Sequence, residues 1–492
     1  MEVPAVRIVK LNNQPLRADG EYVLYWMTAN RRLSYNYSLQ RAVEHSVTLG
    51  RPLLILEAIR SDYRWASDRI HQFVLEGMRA NLKRSRDLPV TYLPYIEPSG
   101  GAGRGLVEEL CRKACVIVGD DFPCFFLPAV NRYIASIIGV TFESVDSNGL
   151  LPMRSASQVF PTAYAFRRFL QKNLGPELPR LPLRNPFEGR RLPALSDVHL
   201  TPILQQWLCV SEEELENPDR ILSRLPIDHQ VQPAVMEGGS EAGDRRLQRF
   251  LQVQLGKYGT DRNHPDSDAA SGLSPYLHFG HVSAHQVFAQ LSGQEGWTTD
   301  RLADARKTKG SREGWWGMSE AAESFLDELV TWRELGFNMC YQQANYDQYE
   351  SLPSWAKQTL AEHANDPRPY CYSFEELDES RTHDRVWNAA QNQLVTEGRM
   401  HNYLRMLWGK KILEWSPSPQ EALDRLIELN NRYAVDGRNP NSYSGIFWVL
   451  GRYDRAWGPE RPIYGKIRYM TSDSTVRKLN MTGYLRQYSK RL

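Results

Sequence analysis

The first third of the chain alternates short apolar runs with amphipathic stretches, and this alternation constrains its fold more than any other feature. The runs lie at 22–27, 52–59, 89–96 and 114–121 and are rich in Val, Ile, Leu and Tyr. The stretches between them place apolar residues at helical spacing. Strands that alternate with helices form a parallel sheet covered on both faces. The pattern therefore predicts a Rossmann-like α/β domain with a parallel sheet over 1–174.

The pattern changes twice beyond this region. Prolines and charged residues interrupt the segment 175–242, which predicts an interdomain linker. From 243 onward the hydrophobic pattern is helical and no run is convincing as a strand. A chain of 492 residues exceeds what one hydrophobic core usually holds. We therefore expect a larger all-α domain over 243–492.

Composition excludes several classes of protein. Hydrophobic residues make up 41% and charged residues 24%, the balance of a folded globular protein rather than a disordered or fibrous one. No run of about 18 uncharged apolar residues occurs, and the N-terminus lacks the pattern of a secretory signal. The six cysteines form no CxxC pair, so we expect neither structural zinc nor disulfides. We expect a cytoplasmic protein without a metal site or a membrane partner.

The distribution of charge is more informative than the net charge of +2. Residues 441–492 contain ten Lys or Arg against three acids, interleaved with Trp and Tyr. This composition suits a surface that contacts phosphates and stacks on bases. A solvated C-terminal face is the alternative interpretation.

Several segments of the helical half have patterns typical of ligand sites. In ASGLSPYLHFG, small and hydroxyl residues precede Pro275, and backbone amides exposed there suit a diphosphate. KYGTDRN places Tyr258 and Arg262 one helical turn apart. LNNRYAVDGRNPN offers the carboxylate of Asp436, for which Arg405 of MHNYLRML is a natural partner.

Tryptophans are concentrated in the same half. Trp408 and Trp415 stand seven apart in RMLWGKKILEW, which places them on one helix face roughly 10 Å apart along the axis. Trp387 opens the preceding helix in THDRVWNAAQ. Core packing is the ordinary role of an indole and stays the alternative for any pair of them.

Five ordered segments of the helical half together resemble the photolyase and cryptochrome superfamily: DRNHPDSDAASGLSPYLHFG, FLDELVTWRELGFNMCYQQANYD, THDRVWNAAQNQLVTEGRMHNYLRMLWGKKILEW, LNNRYAVDGRNPN and RPIYGKIRYM. The resemblance is greatest to class II cyclobutane pyrimidine dimer DNA photolyases. It is dense over 243–472 and looser at the start, where YWMTANRRLSYNYSL is similar to that family's first strand and helix. A single motif such as SPYLHFG would not be enough to establish the resemblance.

The resemblance implies a non-covalently bound FAD in the helical domain and an α/β domain that gathers light. In that family the reduced flavin absorbs blue or near-UV light and passes one electron to a cyclobutane dimer flipped out of DNA. The ring opens and the electron returns. The implied partner is DNA that contains such dimers, bound by a monomer that is nucleoid-associated if the source is bacterial. The resemblance leaves open whether a second, antenna chromophore is a deazaflavin, a folate or absent.

The resemblance also assigns flavin contacts residue by residue. The residues matching those that hold the ribityl and diphosphate groups are Tyr258, Ala270, Ser271, Gly272, Leu273 and Ser274. Arg405 and Asp436 match an ion pair against the isoalloxazine. Asn430 matches an asparagine that faces the flavin N5, where an amide can accept from the reduced flavin. Its alternative is a plain polar position on a helix surface.

The remaining assignments concern the DNA lesion and the electron path. Glu328 matches a carboxylic acid that hydrogen-bonds the dimer bases, and Trp332 and Trp448 match indoles that pack against the dimer. The basic residues matching those near the lesion and its phosphates are Arg262 and Arg468. The indoles resembling a chain that carries electrons from the surface to the flavin are Trp387, Trp408 and Trp415. Without the resemblance, Glu328 would be interpreted as a surface glutamate.

Some positions depart from the family pattern, and other functions compete. Asn439 stands where the family commonly has an acid, Arg399 replaces a tryptophan of more distant relatives, and 296–320 is expected to be a charged, mobile insertion. The competing functions are a cryptochrome-like light receptor, a flavin-free nucleic-acid-binding protein and repair of the (6-4) photoproduct. The last relies on a histidine pair in the lesion pocket, and His278 and His281 by the flavin motif are not expected to supply it.

Overall fold

The computed structural model describes residues 2–196 and 200–489. The chain forms two compact units, each assembled from separate segments. The first unit comprises Met1–Ser155, Asn173–Gln248 and Leu273–Thr299, and the second comprises Ala156–Lys172, Arg249–Gly272 and Asp300–Leu492. This division is discontinuous, whereas the predicted domains over 1–174, 175–242 and 243–492 are contiguous.

A six-stranded sheet organises the first unit. Its strands are β1 (Ile8–Lys10), β2 (Tyr22–Met27), β3 (Leu53–Ile59), β4 (Thr91–Ile96), β5 (Ala114–Asp120) and β6 (Phe142–Val145). They lie in the order β1-β6-β5-β2-β3-β4, and all neighbours are parallel except β1 and β6. The four predicted strands are confirmed. β1 and β6 were missed because three or four residues are too few to show a period of two.

Helices make up most of the remainder. In chain order they are α1 (Tyr37–Leu49), α2 (Asp68–Ser85), α3 (Leu106–Lys113), α4 (Leu127–Ile137), α5 (Ala163–Asn173), α6 (Thr201–Gln206), α7 (Glu212–Glu216), α8 (Pro218–Leu222), α9 (Ser240–Arg249), α10 (Leu255–Asp261), α11 (Ser274–His278), α12 (Ala284–Gln294), α13 (Ala305–Thr308), α14 (Glu320–Leu326), α15 (Arg333–Gln342), α16 (Ser354–Glu362), α17 (Phe374–Asp378), α18 (Arg385–Glu397), α19 (Asn402–Trp415), α20 (Pro419–Tyr433), α21 (Pro440–Val449), α22 (Ser472–Lys478) and α23 (Thr482–Tyr488). No helix of the described residues combines the length and apolarity that crossing a bilayer requires.

The sheet is buried on both faces. Alternate residues of β2 point to opposite sides, so Leu24 and Trp26 join one apolar cluster while Val23 and Tyr25 join the other. Every residue of β2 is buried. The predicted α/β fold is confirmed, and its parallel strands read as continuous apolar runs because neither face meets solvent.

The segment predicted as a linker packs against the first unit's core. Leu215 and Leu222, on the short helices α7 and α8, lie in one apolar cluster with Ile59 and Val74. Prolines open both α6 and α8, where a missing amide costs no intrahelical hydrogen bond. The proline pattern therefore marks starts of short helices as well as breaks. The segment 175–242, predicted as an extended connector, contains the short helices α6, α7 and α8.

Side-chain contacts explain why the units are not contiguous in sequence. Within the second unit, Asn338 and Gln342 of α15 donate to the carbonyl oxygens of Gln158 and Ala156 at 2.9 and 2.6 Å. Within the first unit, a Cβ added at Gly280 would lie 2.2 Å from the carbonyl oxygen of Ala29. Close contacts of this kind join distant segments. In the second unit no strand occurs among the described residues, as predicted for the helical half.

Candidate functional site

A widened helical turn carries two of the predicted site residues. Between α14 and α15, residues Asp327–Trp332 form a π-helical turn that includes Glu328 and Trp332. Turns of this type are frequent at functional sites. Both side chains are half-buried, whereas the three residues between them are buried. The turn therefore presents a carboxyl group and an indole at a partly accessible surface.

Glu328 is paired with a cation from a different helical segment. Its Oε1 lies 2.6 Å from Nη1 of Arg262. The Glu328 side chain is 28% exposed and the Arg262 side chain 21%. The Arg262 guanidinium also lies over the ring of Tyr258, at 5.2 Å from the ring centroid. Burial raises the pKa of Glu328, and the charge and hydrogen bond of Arg262 oppose that rise. The carboxyl group is thus held in place while part of it stays accessible.

Three predicted flavin residues come together on α19 and α20 and in the loop that follows. Nη1 of Arg405 donates to Oδ1 of Asn430 at 3.2 Å, and its Nη2 lies 3.5 Å from Oδ1 of Asp436. Arg405 and Asp436 keep 24% and 14% of their side chains exposed, while Asn430 is buried. The predicted pairing of Arg405 with Asp436 is present in the structure. Their contact with a flavin stays a prediction.

The predicted diphosphate segment is divided along the sequence between the two units. Ala270, Ser271 and Gly272 belong to the second unit, and Leu273 and Ser274 to the first. Gly272 has a left-handed φ of +65°, a conformation that favours glycine. Leu273 is buried, whereas Ala270 and Ser274 are exposed. Contact of these residues with a diphosphate stays a prediction.

The three predicted relay tryptophans lie on α18 and α19. The rings of Trp387 and Trp415 meet edge to face at a centroid distance of 5.6 Å. Nε1 of Trp387 donates to the carbonyl oxygen of Trp408 at 3.0 Å, and Nε1 of Trp408 donates to Oε1 of Gln391 at 2.9 Å. All three indoles are buried, with at most 2% exposure. None of them reaches the surface itself.

Other aromatic rings continue this cluster outward. Trp415 contacts Tyr372 at 5.2 Å and His383 at 5.5 Å between centroids. His383 stacks on Tyr370 at 3.8 Å, and Tyr370 is 49% exposed. The solvent end of the cluster is therefore formed by tyrosine and histidine. Sequence reasoning missed these residues because Tyr370 and Tyr372 lie in a loop with no helical period.

The second predicted lesion indole, Trp448, has two basic side chains over its ring. Nζ of Lys410 lies 4.8 Å and the Arg468 guanidinium 5.6 Å from the Trp448 ring centroid. Lys410 is completely buried and donates to the carbonyl oxygen of Val449 at 2.6 Å. Sequence reasoning missed Lys410, although a lysine within the apolar run WGKKILEW was a usable signal. The contacts of the described residues do not join Trp448 to Trp332.

A comparison with known proteins finds a relative that spans the whole chain. A deoxyribodipyrimidine photo-lyase of Methanothermobacter thermautotrophicus is 32% identical over 490 residues, which cover 98% of each chain. The chain belongs to the deoxyribodipyrimidine photo-lyase family. No protein-family model matches it.

Solved photolyases share the fold. A class III photolyase from Agrobacterium tumefaciens aligns with a TM-score of 0.64 at 18% identity, covering 95% of this chain and 86% of that one. An archaeal photolyase from Sulfolobus tokodaii, solved with two FAD molecules, aligns with a TM-score of 0.63 at 14% identity, covering 95% and 90%. The photolyase-like fold predicted from the sequence motifs is confirmed.

Two departures from the photolyase pattern have local structural roles. Asn439 is the N-cap of α21, where its side chain accepts from the amide of Asn441 at 2.8 Å. An acid could cap the same helix, so the exchange preserves the cap. Arg399 pairs with Glu397 at 2.8 Å and is about half exposed.

The basic C-terminal stretch of this photolyase is partly neutralised within itself. Arg468 lies 3.1 Å from Asp454, and Lys466 lies 3.0 Å from Glu460. Lys490 and Arg491, two of its ten cations, lie outside the described residues. Its contact with DNA phosphates stays a prediction.

Proposed function

We propose that this photolyase repairs cyclobutane pyrimidine dimers in DNA by light-driven electron transfer from reduced FAD. The observation that carries the proposal is the half-buried Glu328 carboxyl group, which lies on the same π-helical turn as Trp332. Arg262, from a different helical segment, holds this carboxyl group in place. An acid and an indole on one turn suit an extruded dimer, which needs a hydrogen-bond donor and an apolar wall. Trp448, with Lys410 and Arg468 over its ring, supplies a second candidate wall.

The residues of the second unit fit a flavin. Arg405, Asn430 and Asp436 join a cation, an amide and a carboxylate in one partly accessible cluster, which matches the polar edge of an isoalloxazine. Gln391 is completely buried, and within the described residues its Nε2 donor has no hydrogen-bond partner. A buried donor of this kind suits a ligand acceptor. FAD would supply, when bound and reduced, one electron on absorbing blue light.

Glu328 would act as a hydrogen-bond donor to the dimer. Bound DNA would remove the remaining water from the carboxyl group, which favours its neutral form further. Arg262 would then be released toward the negative charge of the lesion and its phosphates. A donor placed where charge develops stabilises it without reorganisation. Asn430 and Arg405 would orient the ring edge, while Trp332 and Trp448 would exclude water from the dimer.

The decisive experiment is illumination of the reduced, purified protein with an oligonucleotide that contains one thymine dimer. Chromatography of the strand should show conversion of the dimer to two thymines under blue light, and no conversion in the dark. The outcome that contradicts the proposal is an unchanged strand with flavin bound. A cryptochrome-like receptor would give that result, and a flavin-free DNA-binding protein would be colourless.

Variants of Glu328 test its role. We expect Glu328→Ala to lower the repair yield roughly tenfold or more, since one preorganised donor is lost. Glu328→Gln keeps a donor and should retain more activity than the alanine variant. Flavin content and affinity for damaged DNA should change little in either. Equal repair yields in the wild type and Glu328→Ala would remove Glu328 from the mechanism.

Repair of the (6-4) photoproduct receives no support from the histidines near the diphosphate segment. His281 is buried in the first unit, where its Nδ1 accepts from the amide of Gly239 at 2.9 Å. His278 lies on the same unit. The same chromatographic assay with a (6-4) substrate should show no conversion.

A further inference from the structure

A short basic loop, which includes the one-turn helix α13, precedes the helix that leads to Glu328. This loop, residues 304–313, carries four cations against two acids: Arg306, Lys307, Lys309 and Arg312, with Asp304 and Glu313. All four cations are exposed. It lies within the segment 296–320 that was expected to be a mobile insertion, and side chains of α5 hold its backbone by hydrogen bonds.

Gln171 of α5 holds the middle of the basic loop. Its Oε1 accepts from Oγ1 of Thr308 at 2.8 Å and from the amide of Gly310 at 2.7 Å. Its Nε2 donates to the carbonyl oxygen of Ser311 at 2.9 Å. Gly310 has a φ of +87°, and a Cβ there would lie 2.4 Å from Cγ of Arg168. The path of the backbone is therefore set by close contacts.

A backbone hydrogen bond closes the base of the loop, and Glu323 of α14 holds the residues that follow it. The amide of Ala303 donates to the carbonyl oxygen of Trp315 at 2.9 Å, which brings the two ends together. The Glu323 carboxylate accepts from the amides of Gly317 and Met318 at 2.8 and 3.3 Å. A loop with close ends that is packed on its own residues is compact and is often functional.

Arg167 connects the loop to the candidate lesion site. Its guanidinium donates to the carbonyl oxygen of Gly310 at 3.3 Å and forms a bidentate pair with Asp327 at 2.8 and 3.0 Å. Asp327 is the neighbour of Glu328 on the π-helical turn. The charge of Arg312 also lowers the pKa of Glu328. The basic loop therefore lies beside the predicted lesion site.

Most of the loop's cations are not neutralised by the protein. Arg306 pairs with Asp304 at 3.0 Å. In the part of the chain that the structure describes, no carboxylate lies within ion-pair distance of Lys307, Lys309 or Arg312. Exposed cations on an ordered backbone suit binding of a polyanion. The backbone is already ordered, so binding loses little conformational entropy.

We propose that Lys307, Lys309 and Arg312 bind phosphates of the DNA backbone next to the lesion. The proposal rests on the proposed function, because it takes DNA as the substrate. Phosphate contacts position a protein on DNA without reading its bases. The loop would thus set how DNA lies over Glu328 and would bind damaged and undamaged duplexes alike.

The test is the salt dependence of DNA binding by the flavin-containing protein. The variant Lys307→Gln/Lys309→Gln/Arg312→Gln removes the three charges, and a double Lys307→Gln/Lys309→Gln serves if the triple folds poorly. Fluorescence anisotropy of labelled duplexes, with and without a dimer, would be followed between roughly 50 and 300 mM salt. The slope of log K against log salt should become shallower by about 2.7 in the triple and about 1.8 in the double. The ratio of affinities for damaged and undamaged DNA should stay the same.

A matched control variant has the same change in net charge as the triple loop variant. Lys10→Gln/Lys83→Gln/Arg132→Gln removes three exposed cations of the first unit and should leave the slope unchanged. An unchanged slope in the loop variants, or an equal change in the control, would overturn the proposal. Repair by the wild type is measured separately. Failure of the proposed function would appear as no repair, independently of how DNA binding depends on salt.

Discussion

Asn430 illustrates how hydrogen bonds set the orientation of a single side chain in this photolyase. Its Oδ1 accepts from Arg405, while its Nδ2 donates to Oδ1 of Asn431 at 3.1 Å. Asn431 in turn donates to the hydroxyl of Tyr443 at 3.3 Å. Both asparagines are buried, so the interpretation of LNNRY as a plain helix surface was wrong. This chain of hydrogen bonds directs the amide oxygen of Asn430 toward the guanidinium.

Lys410 gives a prediction for alkaline pH. Burial lowers its pKa from 10.5 to about 7; Asp454 opposes the shift and Arg468 adds to it. Between pH 7 and 10.5 the unfolded lysine holds a proton that the folded one has lost, so this group makes the free energy of unfolding rise with pH. We expect Lys410→Met to flatten that rise in urea titrations at several pH values across this window.

Lys411 provides the control for this measurement. It is the next residue on α19 and pairs with Glu414 at 2.8 Å. Lys411→Met should retain the rise in stability that Lys410→Met loses. An identical pH dependence in the wild type and Lys410→Met would show that Lys410 stays charged in the folded protein.

At the scale of elements, regular patterns were read correctly and local irregularities were not. The strands were predictable because burial on both faces makes them continuous apolar runs. The π-helical turn at Asp327–Trp332 was not, because FLDELVTWRELGF fits ordinary helical spacing on either side of it. A single widened turn is too short to alter a periodicity. Yet this turn sets the positions of Glu328 and Trp332.

The contacts between α18 and α19 give a prediction for light-driven reduction. We expect Trp408→Phe or Trp415→Phe to slow photoreduction of the oxidised flavin roughly tenfold or more, since phenylalanine is much harder to oxidise than tryptophan. Repair by chemically reduced protein should be spared. Bleaching of the oxidised flavin absorbance under blue light with a thiol measures the first effect, and the dimer assay measures the second.

A tryptophan outside this cluster serves as the control. Trp355 on α16 is half-buried, and its replacement by Phe should leave photoreduction unchanged. Normal photoreduction in both relay variants would mean that electrons reach the flavin by another route.

At the scale of the whole molecule, each unit is completed by segments that are distant in sequence. The first unit includes α11 and α12, where the ring centroids of Phe73 and Tyr276 lie 5.5 Å apart. A fragment ending at 242 would lack both helices. We infer that cutting the chain at the predicted domain boundary would expose apolar surface of the first unit.

Stability should fall on mild acidification. Burial lowers the pKa of His281 to about 3 and that of His401 to about 4, from an ordinary 6.5. Because the unfolded chain takes up these protons below about pH 6.5 and the folded chain does not, the free energy of unfolding decreases as pH falls. Each histidine contributes up to about 1.4 kcal/mol per pH unit. Denaturant titrations at pH 7, 6 and 5 should show the decrease, and His281→Gln should lessen it.

His363 supplies a control of opposite sign. Asp366 and Glu460 raise its pKa, so its contribution to stability is present at low pH and is lost as pH rises. His363→Gln should therefore steepen the loss of stability on acidification. An equal effect of His281→Gln and His363→Gln would contradict the assignment of His281 as a buried neutral group.

The sequence by itself determined the four longer strands, the α/β start, the helical remainder and the family. These properties depend on spacing over a few residues, or on ordered motifs, and both are visible along the chain. The pair of Tyr258 and Arg262 was predictable for the same reason, since one helical turn separates them.

Only the tertiary structure decided which distant groups meet. Arg262 pairs with Glu328, and Arg167 joins the basic loop to Asp327, across separations that no local period records. It also decided that Lys410 is completely buried against the Val449 carbonyl oxygen, whereas Lys411 pairs with Glu414. The physical reason is that burial and ion pairing depend on packing between elements, whereas periodicity reports only the geometry within one.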